Sequence, residues 1–410
     1  MRCRFCKKKL NQVFLDLGHT PISNDYLKKS DLKKHEKTYP LKILVCKNCW
    51  LVQTQNISLS PDQIFRKDYA YLSSTSKKWL SHANQYSSMI IKKLKLNSKS
   101  LVTEIACNDG YLLKNFKKKK IPCIGIEPAI NTTKFTKKIG VRLFNAFFSA
   151  NFAKNFMKNY KSDLVIANNV LAHVPNIKDF VKGIKLILKK NGVCTIEFPH
   201  LLNLIKNVQF DTVYHEHYSY LSLYTVKKIF DSVGLEIWNV EELPTHGGSL
   251  RVYASHKNSN FDKSRVVAKI LLKERNMGLQ KNKTYKNFQK KVDKVKINFL
   301  EYLIKAKKKN QFIVAFGASA KANTFFNYIG IKNDIIKYVC DSSKSKQDKY
   351  LPGSHLYINN PNILKYDKPD IIIITTWNIL NEIYDLIKNK LNFKGRLMTY
   401  IPNINEKKIN

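Results

Sequence analysis

Leu101-Val-Thr-Glu-Ile-Ala-Cys-Asn-Asp-Gly110, continuing as Tyr-Leu-Leu-Lys-Asn-Phe116, is the stretch that decides the fold. The apolar run reads as a strand over 101–106, a glycine turn follows, and a helix is expected over 111–118. That succession opens a nucleotide-binding βα unit, in which a glycine lets backbone approach a ligand closely. Glu127 closes the next expected strand, 121–126, where a carboxylate takes both hydroxyls of a ribose. The plain alternative is an ordinary βα turn with a surface glutamate, because Gly110 alone remains of the usual glycines.

Outward from this unit, strands are expected at 163–168 and 192–198 and a helix at 178–188, an alternation that builds a parallel sheet covered by helices. Strands 235–241 and 249–255, joined by a short glycine-containing turn, suit an antiparallel hairpin at the sheet edge. Residues 263–308 are lysine-rich and helical, with Tyr285, Phe288, Val292, Val295 and Phe299 on one face. Alternation resumes at 312–316, 335–341, 370–376 and 396–401, with a helix beginning near Asn323. The expected fold class is α/β in four parts: an N-terminal lobe over 1–75, a central domain over 76–258, a helical connector over 259–308 and a smaller doubly wound domain over 309–410.

A content of 44% apolar and 11% aromatic residues is enough to build packed cores and argues against disorder. No run approaches the length of a membrane span, and Met-Arg-Cys-Arg-Phe-Cys lacks the apolar core of a secretory signal; a cytoplasmic location and no membrane partner are expected. The formal net charge is +42, yet 64 of the 72 basic residues are lysines, spread over every segment. Nucleic-acid binders favour arginine clustered on one face, so the charge reads as a lysine-biased composition. It still favours an anionic ligand.

Four motifs carry chemistry. Cys3-x-x-Cys6 and Cys46-x-x-Cys49 supply four thiolates, a complete tetrahedral set for structural zinc with no open position. The Glu104–Gly110 turn with Glu127 is the second. The third, Phe210-Asp-Thr-Val-Tyr-His-Glu-His-Tyr-Ser-Tyr220, crowds histidines, a carboxylate and tyrosines beyond the carboxyl end of a strand, where open sheets bind ligands. Histidine supplies a base near neutral pH and tyrosine a donor for an enolate oxygen; a His-Glu-His metal site and a structural polar loop are the competing readings. The fourth, Phe316-Gly-Ala-Ser-Ala-Lys-Ala-Asn-Thr324, presents backbone amides and Lys321 to a phosphate. Its missing glycines argue against intact NAD, and Asp341 ends the following strand, in reach of a ribose.

In these motifs the chain resembles the sugar C-methyltransferases of deoxysugar pathways, which make branched sugars for antibiotics and surface polysaccharides. The likeness spans nearly the whole chain, adding Leu17-Gly-His-Thr-Pro-Ile-Ser-Asn24, Tyr69-Ala-Tyr-Leu-Ser-Ser74, Phe198-Pro199, Thr245-His-Gly-Gly-Ser-Leu-Arg251 and Tyr350-Leu-Pro-Gly-Ser-His355. It implies a zinc-binding lobe, a central class I (Rossmann-like) methyltransferase domain that binds S-adenosylmethionine, and a C-terminal Rossmann-like domain that helps hold the nucleotide sugar. The implied catalytic set is Tyr214, Glu216 and His217, with a further tyrosine at Tyr71 or Tyr69. The cofactor set is Glu104, Asn108, Asp109, Gly110, Glu127, Asn168 and Asn169. His215, His246, Arg251, Gly317, Ser319, Lys321, Asn323 and Asp341 fall to the substrate. The chain departs from the family at Cys107, where glycine or serine is usual, and at Ala322, where glycine is usual.

The reaction expected is deprotonation of the carbon beside the ketone of a nucleotide-diphosphate keto-sugar, then attack of the carbanion on the methyl group. His217 would act as base, oriented by Glu216, and Tyr214 would donate to the enolate oxygen. His215, Glu216 or a tyrosinate from Tyr69 or Tyr71 are rival bases. Methyl transfer to oxygen or nitrogen of another small molecule, and non-catalytic nucleotide-sugar or RNA binding, are the alternative functions. A monomer is expected.

Overall fold

The computed structural model describes residues 1–64 and 72–409. Its centre is a seven-stranded sheet of β1 (Val102–Ile105), β2 (Cys123–Ile126), β3 (Arg142–Phe144), β4 (Ser162–Asn168), β5 (Leu188–Pro199), β6 (Leu235–Leu243) and β7 (Ser249–His256). The order is β6-β7-β5-β4-β1-β2-β3. All pairs are parallel except those of β7, which runs antiparallel to both β6 and β5. The edge hairpin is therefore as expected. Strand β3 carries an exposed-to-half-buried pattern; without a buried run it leaves no hydrophobic signal in the sequence. Because β1 lies between β2 and β4, the chain reverses direction across the sheet there, and the crevice beyond their carboxyl ends is a topological switch point.

Gly110 has φ +76°, and a Cβ on it would stand 2.7 Å from Ile139 Cδ1 and 3.3 Å from the Thr136 backbone. Glycine suits both the left-handed turn and the close packing on the helix after β2, Ile130–Lys138.

The central domain opens with α1 (Lys77–Leu94), capped by Ser76, whose side chain accepts from Trp79 N at 3.2 Å. The connector supplies α2 (Arg265–Asn276) and α3 (Phe288–Lys308). Tyr285, Phe288, Val292, Val295 and Phe299 are all buried, as their spacing predicts.

The last part is a six-stranded sheet of β8 (Ile313–Phe316), β9 (Val339–Cys340), β10 (Ile358–Asn359), β11 (Ile371–Ile374), β12 (Gly395–Thr399) and β13 (Asn405–Ile409), ordered β10-β9-β8-β11-β12-β13. Strand β9 is shorter than expected because the amides of Ile335 and Ile336 turn back onto the Lys332 carbonyl. Helix α4 (Ala320–Ile329) starts before Asn323, since the Ser319 side chain caps it by accepting from Ala322 N.

The N-terminal lobe is an antiparallel sheet of Gln12–Thr20, Tyr39–Val45 and Val52–Thr54, completed by Ser219–Tyr220 from the central span. Among the described residues it has no private core. Phe14 stacks on Phe288 of the connector at 4.6 Å, while Leu44, Leu51, Cys46 and Cys49 pack into the cluster under the central sheet. No described helix is long and apolar enough to cross a membrane.

Phe325 of α4 is fully buried, stacked on Tyr400 and edge-on to Phe299 at 4.8 Å. Phe325→Ala is expected to destabilise the chain by ~3–5 kcal/mol in denaturant unfolding, the cost of removing a buried ring. A loss below about 1 kcal/mol would mean that the region repacks freely.

Candidate active site

At the switch point, β1 delivers Glu104 and the turn behind it delivers Asn108 and Asp109. The turn is tight enough to put Ala106 and Asn108 at positive φ. Glu127, at the end of β2, accepts from Asn108 N and Ala129 N, both at 2.8 Å. Asn108 Oδ1 accepts from Ser73 N and Asp109 Oδ2 from Ser74 N, each at 3.0 Å, so the segment entering α1 closes over the turn. Asn168 and Asn169 come from the end of β4. Glu104 Oε2, Asp109 Oδ1, Asn168 Oδ1 and Asn169 Oδ1 are buried without a partner. All four are acceptors. Burial, with Asp109 and Glu127 beside it, raises Glu104 well above the usual carboxylate range, and burial raises Glu127. A cluster of this kind calls for a ligand bearing positive charge and several donors. S-adenosylmethionine, with its ammonium, sulfonium and ribose hydroxyls, fits that set.

Next to this edge lies the histidine loop. His217 Nδ1 is 3.0 Å from the Thr212 carbonyl; a carbonyl only accepts, so Nδ1 carries the proton and Nε2 keeps the lone pair. Tyr214 lies over the ring at 4.0 Å, His173 meets it edge-on at 4.6 Å and Tyr220 at 5.9 Å. Burial, then the nearby His173, lowers His217 well below its ordinary value. Burial takes His173, His215 and His246 down to about 4. These imidazoles are neutral at physiological pH. A cavity of about 20 Å³ beside His217, lined also by Thr212, Tyr220 and His246, has room for one water.

Glu216 does not orient His217. Successive side chains of the loop diverge, and the Glu216 carboxylate is held by Asn24 Nδ2 at 2.7 and 2.9 Å. His215 turns away onto the N-terminal lobe, edge-on to Tyr39 at 6.1 Å. His173 was not anticipated by sequence reasoning. Its Nδ1 lies 2.9 Å from the Glu216 carbonyl, and its place just past Asn168-Asn169, at the same sheet edge, was the available signal. Tyr69 and Tyr71 lie outside the described residues.

His246 occupies the left-handed turn between β6 and β7 and lies 3.4 Å from Asn169 Nδ2. Arg251 is already paired within the protein, to Glu197 at 2.9 Å and Glu241 at 3.1 Å, with His82 on the same carboxylate of Glu197. In the C-terminal part, Gly317 has φ +102° and a Cβ there would meet Thr375 and Thr376 at 2.8 Å. Asp341 accepts from Ala318 N and Ser343 N at 2.8 Å each, bracing that turn. The Ser319 hydroxyl is used as the helix cap, and Asn323 is buried in α4 with Nδ2 unpartnered. Lys321 stands over the Trp377 ring at 5.9 Å, and its charge bears on Asp211, His217 and His246. Asp211, missed in the sequence, accepts from Trp377 Nε1 at 2.7 Å and from the Tyr400 hydroxyl at 3.1 Å.

Cys3, Cys6, Cys46 and Cys49 bring all four Sγ atoms within 4.8 Å of one another, with Cys3–Cys49 at 3.6 Å and Cys6–Cys46 at 3.4 Å. Sulfurs about 2.3 Å from one zinc in a tetrahedron sit close to these separations. Gln53 Nε2 donates to Cys3 Sγ at 3.3 Å, while its Oε1 is held by Arg4 N, a supporting shell of the kind metal thiolates use. The four cysteines fit zinc.

Three families match consecutive stretches of the chain: a zinc binding domain over 3–65, a methyltransferase domain over 79–240, and a C-methyltransferase C-terminal domain over 244–402. C-methyltransferase NovU of Streptomyces niveus is 29% identical over 401 residues, covering 98% of this chain and 95% of that protein. Among solved structures, magnesium protoporphyrin IX methyltransferase of Synechocystis with bound S-adenosylmethionine is 13% identical, covers 49% of this chain and 100% of its own, and superposes with a TM-score of 0.37. A SAM-dependent methyltransferase of Archaeoglobus fulgidus, also 13% identical, covers 42% and 93% with a TM-score of 0.36.

Purified protein is expected to contain one zinc per chain by metal analysis, and Cys46→Ser/Cys49→Ser to lose it together with the fold of the N-terminal lobe. A metal-free wild type, or a fully folded double variant, would exclude the zinc assignment.

Proposed function

We propose that this chain, which belongs to the S-adenosylmethionine-dependent C-methyltransferases carrying an N-terminal zinc-binding domain, methylates the carbon beside the ketone of a nucleotide-diphosphate keto-sugar. The observation that carries the reading is His217: a buried, neutral imidazole with Nδ1 committed to a carbonyl and Nε2 left as a lone pair beside a small cavity. Carbon methylation needs a base for a weakly acidic C–H, and a ketone next to that carbon brings its acidity within reach of a side chain.

S-adenosylmethionine, when bound, supplies an electrophilic methyl group. Glu127 would take the ribose hydroxyls, and the acceptors of Glu104, Asp109, Asn168 and Asn169 would receive the donors and positive charge of the cofactor. His217 would remove the sugar proton at Nε2. Tyr214, packed on the imidazole, would donate to the developing enolate oxygen, while His173, whose one N–H is held by the Glu216 carbonyl, borders the same face. Lys321 would add positive potential at that oxygen. The amides of Gly317, Ala318 and Ser319 are engaged within the protein, so the diphosphate would be received by the next amides, at Ala320 and Lys321 in the first turn of α4, with His246 and Asp341 bordering the sugar and the nucleotide. Zinc at the four cysteines would hold the lobe that closes the loop from outside.

His217→Gln is expected to abolish both methyl transfer and exchange of the sugar α-hydrogen with deuterated water, and Tyr214→Phe to slow both by ~10²–10³-fold, the scale for losing one donor to an oxyanion. Retained exchange in His217→Gln would move the base elsewhere, to His215 if His215→Gln loses it. Glu127→Ala is expected to weaken S-adenosylhomocysteine by roughly 10–100-fold in calorimetry, the worth of hydrogen bonds to a charged group; an unchanged dissociation constant would put the cofactor in another part of the chain.

A further inference from the structure

The loop holds one carboxylate whose surroundings differ from those at the sheet edge. Glu216 is 2% exposed. Its oxygens both accept from Asn24 Nδ2, at 2.7 and 2.9 Å, across 192 residues of chain. The orientation of that amide follows from the carboxylate, which accepts and so faces the donor Nδ2. Asn24 Oδ1 lies 3.3 Å from the Tyr26 hydroxyl, whose single proton goes to the Ala318 carbonyl at 2.7 Å. Lys346 Nζ donates to the same Ala318 carbonyl at 2.9 Å. One line of contacts therefore runs from the turn after β8, through the N-terminal lobe, to the histidine loop.

We propose that Asn24 is a positioning residue for methyl transfer, holding the Glu216 carboxylate in place and in its charged form from outside the methyltransferase domain. The inference rests on reading the loop as the proton-transfer site. The titratable groups around Glu216 are His173, His217, Tyr218 and Tyr26, with Lys346 and Asp341 behind Tyr26. Burial keeps both histidines uncharged and raises both tyrosines, so none of the four offers a positive charge. Lys346 is engaged by Asp341 and the Ala318 carbonyl. Against the burial that pushes Glu216 up to about 7, the amide of Asn24 is the opposing contact. Removing that donor leaves burial unopposed and raises the carboxyl further; placing a second carboxyl there does the same through a shared proton. An enzyme that needs Glu216 charged would then lose its acid limb of activity first and keep its rate at high pH.

The test uses the full-length, zinc-loaded protein labelled with ¹³C at the glutamate carboxyls, the Glu216 signal being identified by its absence in Glu216→Gln. The wild type is expected to titrate near neutrality, and Asn24→Ala and Asn24→Asp each to move upward by roughly one unit or more. The acid limb of the pH–rate profile is expected to move with it, the high-pH plateau being kept. Zinc content and S-adenosylhomocysteine affinity, read at sites that Asn24 does not touch, certify the fold; if the alanine variant fails them, the aspartate variant decides. An unmoved titration in a folded variant, a shifted titration with an unmoved rate profile, or a rate loss uniform across pH would overturn the proposal. Failure to methylate any nucleotide keto-sugar would overturn the substrate reading alone, and the titration would still decide for or against Asn24.

Discussion

The segment from residue 210 to residue 220 satisfies only part of its polar groups from within, and distant elements meet several of the others. Asp211 is answered by Trp377 and Tyr400, the Val213 carbonyl by the Thr324 hydroxyl of α4, Glu216 by Asn24, and the backbone of Ser219–Tyr220 by the strand at Val52–Thr54. Each partner comes from outside the methyltransferase sheet. A buried polar group left alone costs ~1–3 kcal/mol, so misplacing the lobe or the C-terminal domain by one hydrogen bond strands several such groups together. Docking of the outer parts and shaping of the loop are one event. The shared clusters say the same in apolar terms, since residues of the lobe, the connector and the last sheet form a single buried set.

This arrangement would give a metal held by the four cysteines a task beyond local support. The two CxxC knuckles sit at the ends of strands whose other face packs on the connector, and the chain leaving the first of those strands reaches Asn24 and Tyr26. A lobe too small for its own core is rigid enough to aim a side chain only if something else fixes it. Thiolates on a metal can do that at one end, and Phe14 on Phe288 does it at the other.

What was legible in the sequence was whatever depends on neighbours. The apolar run before Gly110, the period of the connector face and the turn at Thr245–Gly248 are local patterns, and each predicts its element. The edge strand β3 and the short β9 lack a buried run or lose their amides to a turn, so no local pattern marks them. The site divided in the same way. Residue types and the crowding at 210–220 pointed to the loop, but adjacency suggested Glu216 as the partner of His217, whereas side chains at successive positions point apart. Asn24 and His173 reach the loop by tertiary contact, and Thr212 meets His217 through the local bend of the loop. Gly110 is a subtler case: a ligand turn and a helix contact demand the same residue, and sequence alone cannot separate them.

Burial drives the two halves of the site in opposite chemical directions while favouring the neutral form in both. At the sheet edge it raises Glu104 and Glu127, which resist becoming anions; in and around the loop it lowers His215, His217, His173 and His246, which resist becoming cations. A cation arriving at the sheet edge would reverse the first effect, because it pairs with the ionised carboxylates. It would add to the second, because further positive charge near the loop makes an imidazolium costlier still. Lys321 already acts in that sense on His217 and His246. A base kept neutral in this way takes a proton only if the charge it gains is balanced close by. The enolate formed by the same transfer is such a balance. Local balance of that kind, and not the surplus of 42 positive charges spread along the chain, is what an uncharged buried base depends on.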